Sequence, residues 1–578
     1  MSFGTTAPAS VEKSQPAVNP TVVDGTTPTL LGNSSAVSTP SGDEHARRNA
    51  YEDGILLLLG LGGDKDALNL VPPVDSEVIY NSLPSNQDMV SLFEIYQLRY
   101  HPFHMVTYDI DGIQRKLCTL INNRRQSVAS RASSGQVDLR WVCLLHAIFA
   151  AGAQSSDLPL ERRLSLSQRH TQQAFDLLRT YKFLETPFKE ALQTLLLLSY
   201  VLQNDMKPQA AWVLQGSTVR LALCLGIHKQ PSQSRNLSIS PNEAKLLRLA
   251  IVWQDTLVSL MFDRPPASHD FNFREDLPAL HHDAVSGTMT YCQAINWISH
   301  LGLRYLPCHS STTFSTSEGP TLVWQDLKLI EANALPHLKD VQACNTIQEI
   351  QEYHSFRLHR NFFAVRVCRH LVSQTHATGL SPETHSFTAL KVHQALRHSA
   401  QAYIDLRSIS TYARRSWAFI HNGLASVLLL SLLSETRCTP ETRRLQDEVM
   451  RGMSQIDASS DADGSSMPIN YLSVTLRKAL KALENLRRLA DQETRASAQG
   501  QTAVPPSDLR QPLERTGNET NTEETMVNDV GAAAQNTDVW ASSGWNIPID
   551  FGISPLQTYE YIMSDEYGMG ESLQLPFL

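Results

Sequence analysis

Histidine with cysteine nearby is the pairing that binds zinc, and two segments of this chain offer it. His101 and His104 stand in the run HPFH, and His354, His359, Cys368 and His370 fall in a second stretch. Neither meets the geometry that zinc needs. Pro102 interrupts the first pair, and the second set is spread around its helix instead of stacking at i and i+4. These read as ordinary histidines, buried or at the surface. SSDADGSSMPIN at 459–470 imitates a calcium loop through Asp461, Asp463 and Gly464. Ser459 stands where the first ligand belongs, however, and Asn470 replaces the closing bidentate glutamate, so a polar interhelical loop is expected. GLGGDKD at 60–66 lacks the Gly-Lys-Ser/Thr ending of a phosphate loop and reads as a loop or helix end. The chain has no GxSxG, no HExxH, no CxxC and no adjacent aspartate pair. The expectation is therefore a protein that is not an enzyme, with no catalytic residue, no metal site and no cofactor.

Two basic stretches could meet nucleic acid. One comprises Arg115, Lys116, Arg124, Arg125 and Arg131; the other runs from Arg477 and Lys478 through Lys481, Arg487 and Arg488 to Arg495. Neither interleaves the aromatics of a single-strand binder, and both are expected to be solvated helix faces. A net charge of −9 argues against a general coat for nucleic acid or anionic membrane. The start, MSFGTTAPASVEKSQPAVNP, has neither the basic nor the apolar region of a secretory signal. The longest apolar runs, at 55–63 and 424–433, are too short to span a bilayer. An intracellular protein with reduced cysteines is expected.

The elements that must position any site are helices. Residues 1–50, rich in Ser, Thr, Pro, Ala and Gly, read as disordered because they cannot bury enough surface to offset their ordering entropy. From PSNQDMVSLFEIY, with its N-cap serine or asparagine, to about 495 the pattern is helix after helix. The expected spans are 139–152, 164–182, 187–203, 208–226, 242–262, 288–303, 345–375, 385–407, 412–434, 440–454 and 471–495. The last shows Leu476, Leu480, Leu483 and Ala490 at helical spacing. Alternating strand patterns are scarce, so the fold class is all-α, with a multi-helix domain between disordered terminal segments.

One span carries unusual punctuation. In AWVLQGSTVRLALCLGIHKQP at 211–231, Trp212, Val219 and Leu223 share a face with Gly216, which is expected to admit a neighbouring helix closely. Gly226 fits the left-handed residue after a helix, with Ile227 as its hydrophobic contact and Pro231 barring continuation. Arg220, costly to bury alone, is expected to find a carboxylate or carbonyls.

That combination resembles the signature helix of the fungal transcription factor regulatory domain, the middle homology region of the binuclear zinc cluster family. The second signature follows in VWQDTLVSLMFDRPP, with Asp255, Ser259, Arg264 and Pro265 in the family's spacing and Asp263 in place of the usual glycine. LFEIYQLRYHPFHMVTYD at 92–109 resembles the family's opening helix and His-Pro turn, and LRWVCLLHAIFAAGAQS at 139–155 its next helix. The resemblance covers roughly 85–440. It implies a nuclear transcription regulator that acts by binding. The family's zinc cluster is not present, since the first cysteine is Cys118. The cluster was lost, or the start misses it, or a DNA-binding partner protein supplies the contact; no DNA-binding motif is evident here.

Residues 496–535 read as a linker and 536–578 as an acidic aromatic tail. From Thr516 to the end there are ten acidic residues and no lysine or arginine. Trp540, Trp545, Phe551 and Tyr559 are the expected contacts of an activation segment, held in solvent by acid until a coactivator of the transcription machinery binds. The alternative is an accessory or small-molecule-binding helical protein with no direct DNA role.

Overall fold

The computed structural model describes residues 79, 82–129, 140–229, 239–282, 287–306, 319–369, 382–458, 471–500 and 555–563. Each of the eleven expected helices has a counterpart, with boundaries moved by a few residues where they can be compared; the expected end of 345–375 lies outside the described residues. The first, α1 (Asn86–Ile95), starts where Ser85 accepts a hydrogen bond from Asp88 N at 3.1 Å. It runs into a π-helical turn at Tyr96–Tyr100 that sets both tyrosines in the core. Next comes α2 (Ile110–Ala129), which carries most of the first basic stretch as a helix, as expected, although it is not among the expected spans; Ile113, Leu117, Leu120 and Ile121 form its buried stripe.

Then follow α3 (Val142–Ser155), α4 (Leu160–Thr180), α5 (Lys189–Asn204), α6 (Pro208–Cys224) and α7 (Pro241–Phe262). The middle of the chain supplies α8 (Tyr291–Tyr305), α9 (Gly319–Asn333), the short α10 (Pro336–Lys339) and α11 (Ile347–Cys368). The last group is α12 (Pro382–Ile409), α13 (Trp417–Leu432), α14 (Pro440–Ala458), α15 (Val474–Gly500) and α16 (Pro555–Met563). Among the described residues there is no strand, only an isolated bridge between Met289 and Ala334. The fold is all-α.

Two helices, α3 and α13, are buried on every face, because their sequences are apolar all round. Around α3 pack α1, α4 and α5; around α13 pack α11, α12, α14, α15 and α16, and a contact between α5 and α13 joins the two groups. One continuous hydrophobic core results. Close approach by a glycine does occur, at Gly152. A β carbon there would lie 2.2 Å from the Leu92 carbonyl oxygen, so any side chain would push α1 off α3. Among the described residues no helix is long and apolar enough to cross a membrane.

Candidate functional site

Helix α6 ends as its sequence indicates. Gly226 takes φ 73°, its N–H bonds the Leu223 carbonyl at 3.0 Å, and Ile227 N–H reaches back to Ala222 at 2.9 Å. This paired closure satisfies the last carbonyls and buries Ile227. The charged side chain that secures this end is not Arg220, which is exposed, but Arg248 of α7. Arg248 is fully buried, donates to the carbonyls of Ile227 at 2.6 Å and Lys229 at 2.8 Å, and pairs with Asp276 at 2.6 Å. The expected partner search of Arg220 is thus corrected: its spacing carries it to the solvent side.

Gly216 needs correction as well. A β carbon there would meet nothing within 4 Å, so no helix packs on it. The face it shares with Val213 and Leu223 looks outward, at 51% and 40% exposure. Trp212 is half-buried on the neighbouring face, its ring lying 4.3 Å from the Arg264 guanidinium, which also stacks near Phe262.

The second signature stretch is the end of α7 and the turn beyond. Asp255, buried, accepts the Ser268 N–H at 2.7 Å and pins the returning loop; burial raises its carboxyl above the usual range. Ser259 is buried, and its carbonyl receives Asp263 N–H and, at 3.0 Å, Arg264 N–H. Pro265 follows, exposed, and prevents the helix from continuing. Asp263 itself sits at φ 58°, the left-handed conformation in which glycine is unstrained. Here the carboxylate offsets the strain with two ion pairs, to Arg366 and Arg369 of the α11 end, each at 3.2 Å.

Those arginines are buried, and they lead to the C-terminal tail. Arg366 also donates to the Leu260 carbonyl at 2.6 Å. Arg369 pairs with Glu560 of α16 at 3.2 Å, with Tyr559 stacked 5.4 Å from its guanidinium. Helix α16 lies against α13 and α15 and buries Leu556, Tyr559, Ile562 and Met563. Burial raises the Tyr559 phenol. The expectation of a solvated tail is therefore overturned at Tyr559, which is 5% exposed. Acid is too sparse on this helix to keep it in water: Glu560 alone is acidic in PLQTYEYIM, and that one charge finds Arg369. Trp540, Trp545 and Phe551 lie outside the described residues. The Arg366, Arg369, Asp263 and Glu560 set was not singled out from sequence; its one visible signal is two arginines three apart at the end of a helix.

The two histidine groupings meet in part. His104 and His359 line one interior cavity of about 10 Å³, room for a single water, with Tyr200, Trp253, Tyr412 and Phe419 among its walls. Burial pushes both rings down to about 3, so they are neutral. His101 is also pushed down, to about 4, while His354 faces Asp405 at 3.7 Å and His370 lies outside the described residues. Among the described residues no group of three or more metal-binding side chains converges. The glycine-rich run at 60–66 and the loop at 459–470 also lie outside them. On the basic helices, Arg115 pairs with Asp109 at 3.4 Å, Arg124 donates to the Pro84 carbonyl, and Arg487 pairs with Asp447.

No curated protein matches the chain. Residues 120–288 match the family model of the fungal specific transcription factor domain, a range running from α2 to the residue before Met289 and containing both signature stretches. Over that stretch, less than half of its length, the chain is similar to the fungal specific transcription factor domain.

Proposed function

We propose that the protein is a nuclear transcription regulator that works by binding and not by catalysis. In this reading residues 85–495 form the regulatory domain, 496–535 the linker and 536–578 an activation segment that engages a coactivator of the transcription machinery. A DNA-binding partner protein brings it to its genes. One observation carries the reading beyond the family: part of the tail is held by the domain, through Arg369 and the groove between α13 and α15. An amphipathic helix that docks in an apolar groove of its own chain has the chemistry to dock in one on a partner. The two dockings use the same face and exclude each other, so the domain controls the availability of the segment.

Reporter fusions to an unrelated DNA-binding domain test this. Residues 516–578 alone should activate, and alanine at Tyr559 together with Trp540, Trp545 and Phe551 should abolish the activity, because aromatic area drives docking whereas carboxylates mainly steer encounter. The full chain should activate less than the tail. Arg369→Met in the full chain should restore activity by unlatching α16. A silent tail fusion would refute the activation segment; a full chain indifferent to Arg369→Met would refute the control by docking.

A further inference from the structure

Helix α16 covers a groove that it is able to vacate. It has nine residues, Pro555–Met563, and residues 501–554 separate it from the end of α15. A helix that short does not hold its shape in water. The order comes from the groove, where α13, buried on every face, packs against α15. Leu556, Tyr559, Ile562 and Met563, spaced at three and four, form the single face that the groove receives.

The charges at its rim are uneven. Arg366 and Arg369, with side chains 7% and 2% exposed, meet two carboxylates: Asp263 pairs with both arginines and Glu560 with Arg369, each at 3.2 Å. Withdrawing α16 takes Glu560 away and leaves two buried guanidinium groups against one carboxylate. A buried charge without its partner is strongly disfavoured. The vacated groove is thus an apolar slot with one unbalanced positive charge at its edge.

Arg369 is also underused while α16 is in place. Both of its carboxylate contacts go through Nη2, and its Nε and Nη1 have no hydrogen-bond partner. A guanidinium holds a carboxylate best through two parallel N–H groups, so Glu560 is not the strongest acid contact this arginine can make. These properties define the occupant. It is an amphipathic helix with an aromatic residue, a carboxylate beside it and aliphatic residues a turn to either side. A basic helix would meet like charge there, and a nucleic acid has no apolar face to lay in the slot.

We infer that the groove between α13 and α15 is an exchange site, which receives such a helix from another protein when α16 leaves. The inference rests on the release of α16 in the proposed control but not on activation, and its test reads binding without a reporter. The probe is a labelled synthetic peptide of residues 553–567, titrated by fluorescence anisotropy into the full chain. Ile562→Asp in the chain undocks its own α16; Glu560→Lys, which sets two cations face to face, is the second releasing variant. A released chain should bind the peptide. The parent should bind it about ten- to a hundredfold more weakly, because the tethered α16 competes at an effective concentration on the order of 1 mM. Glu560→Gln in the peptide should weaken binding about tenfold, and Arg369→Met in the released chain should remove that difference. If neither released variant binds the peptide, if the parent binds it equally, or if Glu560→Gln in the peptide has no effect, the inference is overturned. A parent chain that sediments as a dimer, and as a monomer with Ile562→Asp, would put a second copy's α16 in the groove and overturn it as well.

Discussion

Helices α6 and α16 lie far apart in the chain and are secured by opposite means. The first is anchored at its end, where Gly226 closes the helix and Arg248 holds the carbonyls beyond it, while its outer face leaves Val213 and Leu223 in solvent. The second is anchored along its side, with four apolar side chains sunk between α13 and α15 and one ion pair at the rim. Hydrophobic content does not rank them. A segment is buried when a neighbouring element presents a face to cover it, and α6 has neighbours on only part of its circumference, α5 and α7.

The largest expected effect tests the anchor of α6. Arg248→Met leaves Asp276 and two carbonyls without their buried donor, and breaking such an arrangement costs about 3–5 kcal/mol. Denaturant unfolding measures it; a loss near zero would show that the α6 end is held by Gly226 alone. Next comes the side anchor. Ile562→Ala should weaken docking by about 2–3 kcal/mol, the value for emptying a well-packed apolar site. Hydrogen exchange should then accelerate in 555–563 and stay unchanged in 208–224. Equal acceleration in both would mean that the two helices belong to one cooperative unit.

Acid reaches both platforms. The supports of α6 pack on His104 beside Tyr200 of α5 and on His359 beside Trp253 of α7, both pushed down to about 3 by burial, and α13 beneath α16 contains His421, pushed down to about 4 by burial against Trp417 and Phe362. With the folded value below the unfolded one, the unfolded chain binds the proton first. Stability is therefore intact above about pH 6.5 and falls as the pH drops toward 4. His421→Gln should be less acid-sensitive than the parent, by about 2 kcal/mol at pH 5. Equal pH slopes for the two proteins would place the acid response elsewhere. The smallest effect concerns the open face of α6: Gly216→Ala should stabilise by about 0.5–1 kcal/mol, because a helical glycine loses backbone entropy and this one has no neighbour to crowd. Destabilisation would place a partner on that face.

Much of this protein was legible from its residues in order. The all-α class, the eleven central helices, the Ser85 cap and the left-handed Gly226 all follow from local periodicity and capping chemistry, which act within a turn or two of helix. The signature stretches were legible too, as types at fixed spacing. What those types do was not. Whether Gly216 is crowded, whether Arg220 or Arg248 is the buried cation, and why Asp263 can replace glycine depend on groups far away in the chain. Arg366 and Arg369 reach Asp263 across about a hundred residues, and Arg369 then meets Glu560 from the far end. Local sequence sets the shape of each helix; which face is covered, and which charge is paired, is decided only when long-range packing brings the faces together.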